Sequence, residues 1–197
     1  MKDECIDYAD DYTITKTDRV GIIEYFLGEK QRDHHTEYVV GTVDRHQEAF
    51  GITSYNIDKK FNDYVDAIDY FHQKLIEDIQ QLKEQIKKEP AETITKEDCY
   101  SIYMYNSLVN KVIVLNSNVL YPEYRRGCHQ LFLAKGGFGC RPEGSGNAIF
   151  AVNLYTGKEC RIEKYDVLGV IKDEKIPDWA IKNLKAINKK KSKGVER

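Results

Sequence analysis

The residue types best suited to chemistry concentrate in one stretch of this sequence. Between Tyr121 and Asn147 lie Tyr124, Arg125, Arg126, His129, Lys135, Phe138 and Arg141, set among glycines. Adjacent arginines offer forked donors that fit phosphate oxygens. Tyr124 and Phe138 offer ring faces on which a base can stack. His129 can serve as a general acid or base. Glu123 or Glu143 would be its carboxylate partner if the loop folds back. The candidate set is therefore His129 as the catalytic group, with Tyr124, Arg125, Arg126, Lys135, Phe138 and Arg141 as nucleic-acid or anion-binding groups. Each has a plainer reading. A lone histidine is more often structural than catalytic, and an arginine pair is more often surface than clamp. Gly136-Gly-Phe-Gly139 is followed by no Gly-Lys-Ser/Thr and lacks dinucleotide spacing, so turn geometry explains it better than a phosphate cradle.

Other chemistries find little support. The five cysteines, Cys5, Cys99, Cys128, Cys140 and Cys160, are widely spaced with no CxxC pair. That argues against a disulfide framework and a standard zinc site, and for reduced thiols. His34-His35, beside Asp33 and Glu37, would point to opposite faces of a strand and so would not share an ion. HExxH and GxSxG are absent. The sequence implies no metal and no cofactor.

The chain has 197 residues, enough to bury a core in one or two domains. With 41% hydrophobic and 31% charged residues, it suits small folded domains with much surface. A formal net charge of −2 supplies no global field for nucleic acid. The charge is uneven, however: Asp3, Glu4, Asp7, Asp10 and Asp11 lie at the start, and Lys182, Lys185, Lys189, Lys190, Lys191, Lys193 and Arg197 at the end. Fourteen tyrosines suit half-buried strand positions as well as interfaces. The polar start does not resemble a secretory signal, and no apolar run is long enough to span a bilayer. The expected location is cytoplasmic.

The elements that must position the candidate site follow from periodicity. Residues 1–18 read as a polar lead-in, and Gly21 to Leu27 as a short strand or helical turn. Gly28 to His35 reads as a turn. Thr36 to Val43 is a strand, with Ile52 to Ile57 as its hairpin partner. Asp58 would cap a long amphipathic helix carrying Phe61, Val65, Ile68, Phe71, Leu75, Ile79, Leu82 and Ile86, ending at Pro90. Pro90 to Glu97 reads as a linker, with Thr95 as a capping residue. Ser101 to Tyr105 alternates like a strand. Val112 to Leu115 is apolar throughout, as a strand buried on both faces would be. Ala148 to Tyr155 and Glu159 to Tyr165 form a hairpin around Thr156-Gly157, followed by a strand at 167–171 and a terminal helix from Pro177 with Trp179, Leu184 and Ile187 to dock it. The expectation is an α+β chain in two parts: residues 1–90, a β-hairpin with one long helix, and residues 91–197, an antiparallel glycine-rich β unit with a terminal helix.

Gln130-Leu-Phe-Leu-Ala-Lys-Gly-Gly-Phe-Gly-Cys140, Gly146-Asn-Ala-Ile-Phe150, Asp166-Val-Leu-Gly-Val-Ile171 and Pro177-Asp-Trp-Ala180 resemble small accessory proteins of Gram-positive mobile elements: conjugative elements, plasmids and phages. The resemblance covers about the last third of the chain and carries over no catalytic residues. It implies a mobile-element setting, in which small proteins often counter host defence, as anti-CRISPR proteins do. The expected partner is a host nucleoprotein effector or its guide RNA. An RNA-cleaving enzyme using His129 with Arg125, Arg126 or Lys135, and a small-molecule or protein-binding module, stand as alternatives. A homodimer through the helix at 61–88 is a further expectation.

Overall fold

A computed structural model describes residues 8–9, 11–45 and 53–194. The acidic Asp3, Glu4, Asp7 and Asp10, together with Cys5, Gly51, Ile52 and Arg197, lie outside the described residues, as do the side chains of Lys189, Lys190, Lys191 and Lys193. The fold is α+β. The chain divides into two compact units, Met1–Lys88 and Glu89–Arg197.

The first unit is an antiparallel meander of five strands in chain order: β1 (Tyr8–Ala9), β2 (Tyr12–Val20), β3 (Ile23–Gln31), β4 (Thr36–Asp44) and β5 (Ser54–Phe61). The expected hairpin is β4 with β5, and β1, β2 and β3 extend it. Residues 12–18, expected in a lead-in, are in β2. Thr13, Thr15 and Thr17 favour extended backbone through their β-branching, and the strand sits well despite its charge. Gly28 to Gln31 belongs to β3, so the expected turn shrinks to residues 32–35, closed by Arg32 N–H donating to the His35 carbonyl at 2.8 Å.

Helix α1 (Tyr64–Lys88) follows. Its cap is Asp63, not Asp58: Asp63 Oδ1 accepts from the N–H of Val65 at 2.7 Å and of Asp66 at 3.2 Å. Asp58 is the extra residue of a β-bulge, since Val40 pairs with Lys59 and Gly41 with Ile57. Phe61 accordingly ends β5 instead of starting the helix. Strand alternation puts Tyr25 and Leu27 on the helix-facing side of the sheet, where they meet Ala67, Phe71 and Leu75. Phe26, between them, points the other way into a cluster with Tyr12 and Val39. Fully burying a ring such as that of Phe71 contributes about 1.5–3 kcal/mol. Val65, at 67% exposure, lies off the buried stripe.

The second unit holds one antiparallel sheet in the order β10-β9-β8-β7-β11-β6. The strands are β6 (Cys99–Tyr100), β7 (Val112–Leu115), β8 (Leu131–Gly136), β9 (Ala148–Asn153), β10 (Glu159–Glu163) and β11 (Val167–Ile171). Four buried residues make up β7. Ile113 and Leu115 enter one core with Phe132, Ile149 and Val170. Val112 and Val114 enter the other, with Leu131, Leu133 and Ile171. Helix α3 (Asp178–Gly194) covers that second face with Trp179, Leu184 and Ile187. The expected hairpin is β9–β10, and Gly157 takes φ +71° in its turn. The alternation at 101–105 is not a strand. Pairing stops at Tyr100, and Ser101 instead caps a single 3₁₀ turn over Ile102–Met104. Among the described residues, no helix is long and apolar enough to cross a membrane.

Candidate functional site

The short helix α2 (Gly127–Gln130) carries His129 just ahead of β8. Gly127 is there for a steric reason. A Cβ on it would sit 2.9 Å from the Glu92 carbonyl oxygen, to which its own N–H donates at 2.6 Å. The close approach draws residues 89–95, most of them in the stretch from Pro90 to Glu97 expected as a linker, against α2. Gln130 fixes it further on: its side-chain oxygen accepts from Ile94 N–H at 2.9 Å, and its amide donates to the carbonyls of Ile94 at 3.0 Å and Leu115 at 3.1 Å. Asn153 secures the other flank, donating to the Cys128 carbonyl at 3.0 Å while its oxygen accepts from the N–H of Tyr155 and Thr156.

This packing delivers Glu89 to the α2 turn. His129 Nε2 lies 3.0 Å from Glu89 Oε2, and the Cys128 thiol lies 3.8 Å from the same oxygen. The Glu89 side chain is 2% exposed and that of His129 16%. The carboxylate bonded to His129 is therefore Glu89, not the Glu123 or Glu143 that proximity in sequence suggested. Tyr124 sets its ring edge against the imidazole, centroids 4.9 Å apart. Arg126 Nη1 donates to the Glu89 carbonyl at 3.4 Å. Arg125 turns its Nε to the Leu120 carbonyl at 3.2 Å. Burial, and then the Glu89 carboxylate, push the Cys128 thiol up to about 11. A thiol held in that state is a poor nucleophile near neutrality, so a Cys128–His129 hydrolytic pair is disfavoured.

Lys135 does not join this group. It lies four residues along β8 from Leu131, about 13 Å of extended chain. Tyr124, Arg126 and His129 thus gather at one end of β8, while Lys135, Phe138 and Arg141 belong to the other. The predicted set is therefore split between the two ends of β8.

At that other end stands the glycine loop. Gly137 has φ +106° and its Cβ would fall 2.3 Å from the Ala148 carbonyl oxygen. A Cβ on Gly139 would meet the Asn147 carbonyl oxygen at 2.3 Å. The glycines let the loop press onto the start of β9, as their plainer reading held. The loop amides bond within the loop: Cys140 N–H to the Gly137 carbonyl at 3.1 Å, Arg141 to Phe138 at 3.3 Å, and Gly144 to Arg141 at 3.0 Å. The Lys164 ammonium donates to the carbonyls of Pro142 and Gly144. The exposed product is Phe138, at 80% exposure, with Arg141 also on the surface. Phe150, 56% exposed, lies opposite Gly136 in the sheet, which has no side chain to cover it. Tyr165 is exposed next to Lys164.

The sequence pointed to His129, Phe138 and Arg141 but missed Glu89, Cys128, Phe150 and Tyr165. A period-2 reading of β9 would have set Phe150 and Val152 on one face, without showing that Phe150 is 56% exposed while Val152 is buried. No protein-family model, curated protein or solved structure matches the chain.

Proposed function

We propose that this protein is a counter-defence accessory protein of a mobile element, of the anti-CRISPR kind, acting in the cytoplasm by docking on the protein surface of a host nucleoprotein effector. One observation carries the reading: a loop too tight for side chains at Gly137 and Gly139 holds Phe138 out into solvent. An aromatic ring held by rigid backbone loses little freedom on binding and is the kind of anchor around which interface energy concentrates. Phe150, Tyr165 and Arg141 supply further residue types enriched at protein interfaces. The net charge of −2 favours a protein surface over bare RNA. The mobile-element setting rests on the resemblance of the last third of the chain. Self-association through α1, with Val65, Ile76 and Ile79 exposed, belongs to the same proposal.

The test is binding of the purified chain to reconstituted RNA-guided effectors, compared with their bare guide RNAs. The wild-type chain should bind an assembled effector, and Phe138→Ala should weaken binding about thirty-fold or more, the effect of losing an anchor residue. Equal binding by Phe138→Ala, or binding to the guide RNA alone, refutes the docking surface. Failure with every effector class refutes the function.

A further inference from the structure

We propose that Glu89, Cys128 and His129 form a binding site for a divalent transition-metal ion of the zinc class, with three protein ligands and a fourth position left for water. Their donor atoms, a carboxylate oxygen, a sulfur and an imidazole nitrogen, all lie within 4.8 Å of one another. Ligand atoms around a tetrahedral zinc ion stand about 3.3–3.8 Å apart, as follows from bond lengths of 2.0–2.3 Å. The two separations from Glu89 Oε2, 3.0 Å to nitrogen and 3.8 Å to sulfur, bracket that range. Side-chain rotation of about an ångström closes the remainder.

Local structure explains how neighbours in sequence converge. On a strand, the neighbours Cys128 and His129 would point to opposite faces. On the α2 turn they are separated by about 100°, so both can address one oxygen between them. Glu89 arrives because Gly127 lets its segment approach.

The chemistry balances. Zinc displaces the Cys128 thiol proton, which leaves to solvent, and a zinc–sulfur bond forms in its place. Thiolate and carboxylate together cancel the ion's two charges, while the imidazole binds neutral. A neutral assembly suits a site where the Cys128 residue is 0% exposed and the Glu89 side chain 2% exposed. Sulfur with nitrogen selects zinc-class ions over magnesium or calcium. Outer contacts hold the donors: the Asn153 amide on the Cys128 carbonyl, the Tyr124 ring on the imidazole, and the Arg126 guanidinium on the Glu89 backbone. The bound ion would staple the first residues of the second unit to α2.

Chelator-treated full-length protein should take up one Zn²⁺ per chain in a competition titration, with a rise in melting temperature. Co²⁺ should give a near-ultraviolet thiolate-to-metal charge-transfer band. Cys128→Ser should abolish that band and lower zinc affinity at least ten-fold. His129→Ala and Glu89→Gln should lower it comparably, while Cys140→Ser and Cys99→Ser leave both readouts unchanged. Circular dichroism of each variant separates lost binding from lost folding, and Glu89→Gln serves if Cys128→Ser unfolds. Stoichiometric zinc binding that survives in all three ligand variants overturns the site, as does a wild-type chain that binds no zinc at micromolar concentration. Neither result bears on the effector assay, which reads Phe138.

Discussion

Replacing Gln130 with leucine tests whether the candidate site is held by hydrogen bonds or by shape alone. Gln130 is 0% exposed and its amide closes three bonds with backbone, two to Ile94 and one to Leu115. Leucine matches its bulk but strands one N–H and two carbonyls. Each loss costs about 1–1.5 kcal/mol, since the partners stay buried without water. Relaxation and the more apolar side chain return about half a kcal/mol, so Gln130→Leu should destabilise the second unit by about 3–4 kcal/mol. With a urea slope near 2 kcal/mol/M, the midpoint falls by about 1.5–2 M. Trp179, the chain's one tryptophan, reports this unit: it packs beside Tyr155 and belongs to the cluster containing Leu131. Its fluorescence, followed through urea titration, gives the midpoint. A Gln130→Leu chain within 1 kcal/mol of wild type, at unchanged slope, refutes the claim that this amide ties the 89–95 segment to the sheet.

Two further predictions concern the loop and the lower edge of the pH range. Gly139→Ala should destabilise by about 2 kcal/mol or more, because its Cβ would overlap a backbone oxygen at 2.3 Å, whereas Gly157→Ala meets open space and should cost only about 1 kcal/mol for its φ of +71°; thermal melts that rank them the other way reject the steric reading. Asp98 is held below the ordinary carboxylate range, first by the Thr95 backbone N–H at 3.0 Å and then by the Thr95 hydroxyl at 2.9 Å. Because its folded pKa is depressed, its stabilisation is present above the unfolded value of about 3.9 and is lost as pH falls through the folded one. Urea midpoints of wild type and Asp98→Asn should therefore differ at pH 7 and converge at low pH, and a constant difference across that range rejects the prediction.

Much of this fold could be read from hydrophobic pattern, and the departures have physical causes. Val112 to Leu115 is apolar at every position because β7 has a core on each face, so no alternation survives to mislead. The α1 stripe was visible for the same reason, a face that must be buried. Its start was misplaced because Phe61 continues the helical spacing while the chain is still in β5, and a bulge at Asp58 moves a natural capping residue into the sheet. In β2, most positions from Lys16 to Arg19 point charge or hydroxyl to solvent, so the pattern resembled a polar lead-in. Strand pairing with β3 decides that segment, and pairing is a long-range property.

The candidate site was legible in proportion to how local its logic is. His129, Phe138 and Arg141 stand out by type within one glycine-rich stretch. The residue bonded to His129 stands 40 positions earlier, just after Lys87 and Lys88, and no spacing rule connects them. What does connect them is a steric vacancy: Gly127, whose missing side chain admits the Glu92 carbonyl. A glycine read only as a turn former signals flexibility, whereas this one creates contact. The same holds at Gly137 and Gly139, whose bareness fixes a loop in place and turns a phenylalanine outward. In this protein Gly127 positions a buried three-donor cluster at one end of β8, while Gly137 and Gly139 hold an exposed aromatic at the other, and those are the two places where its function can be tested separately.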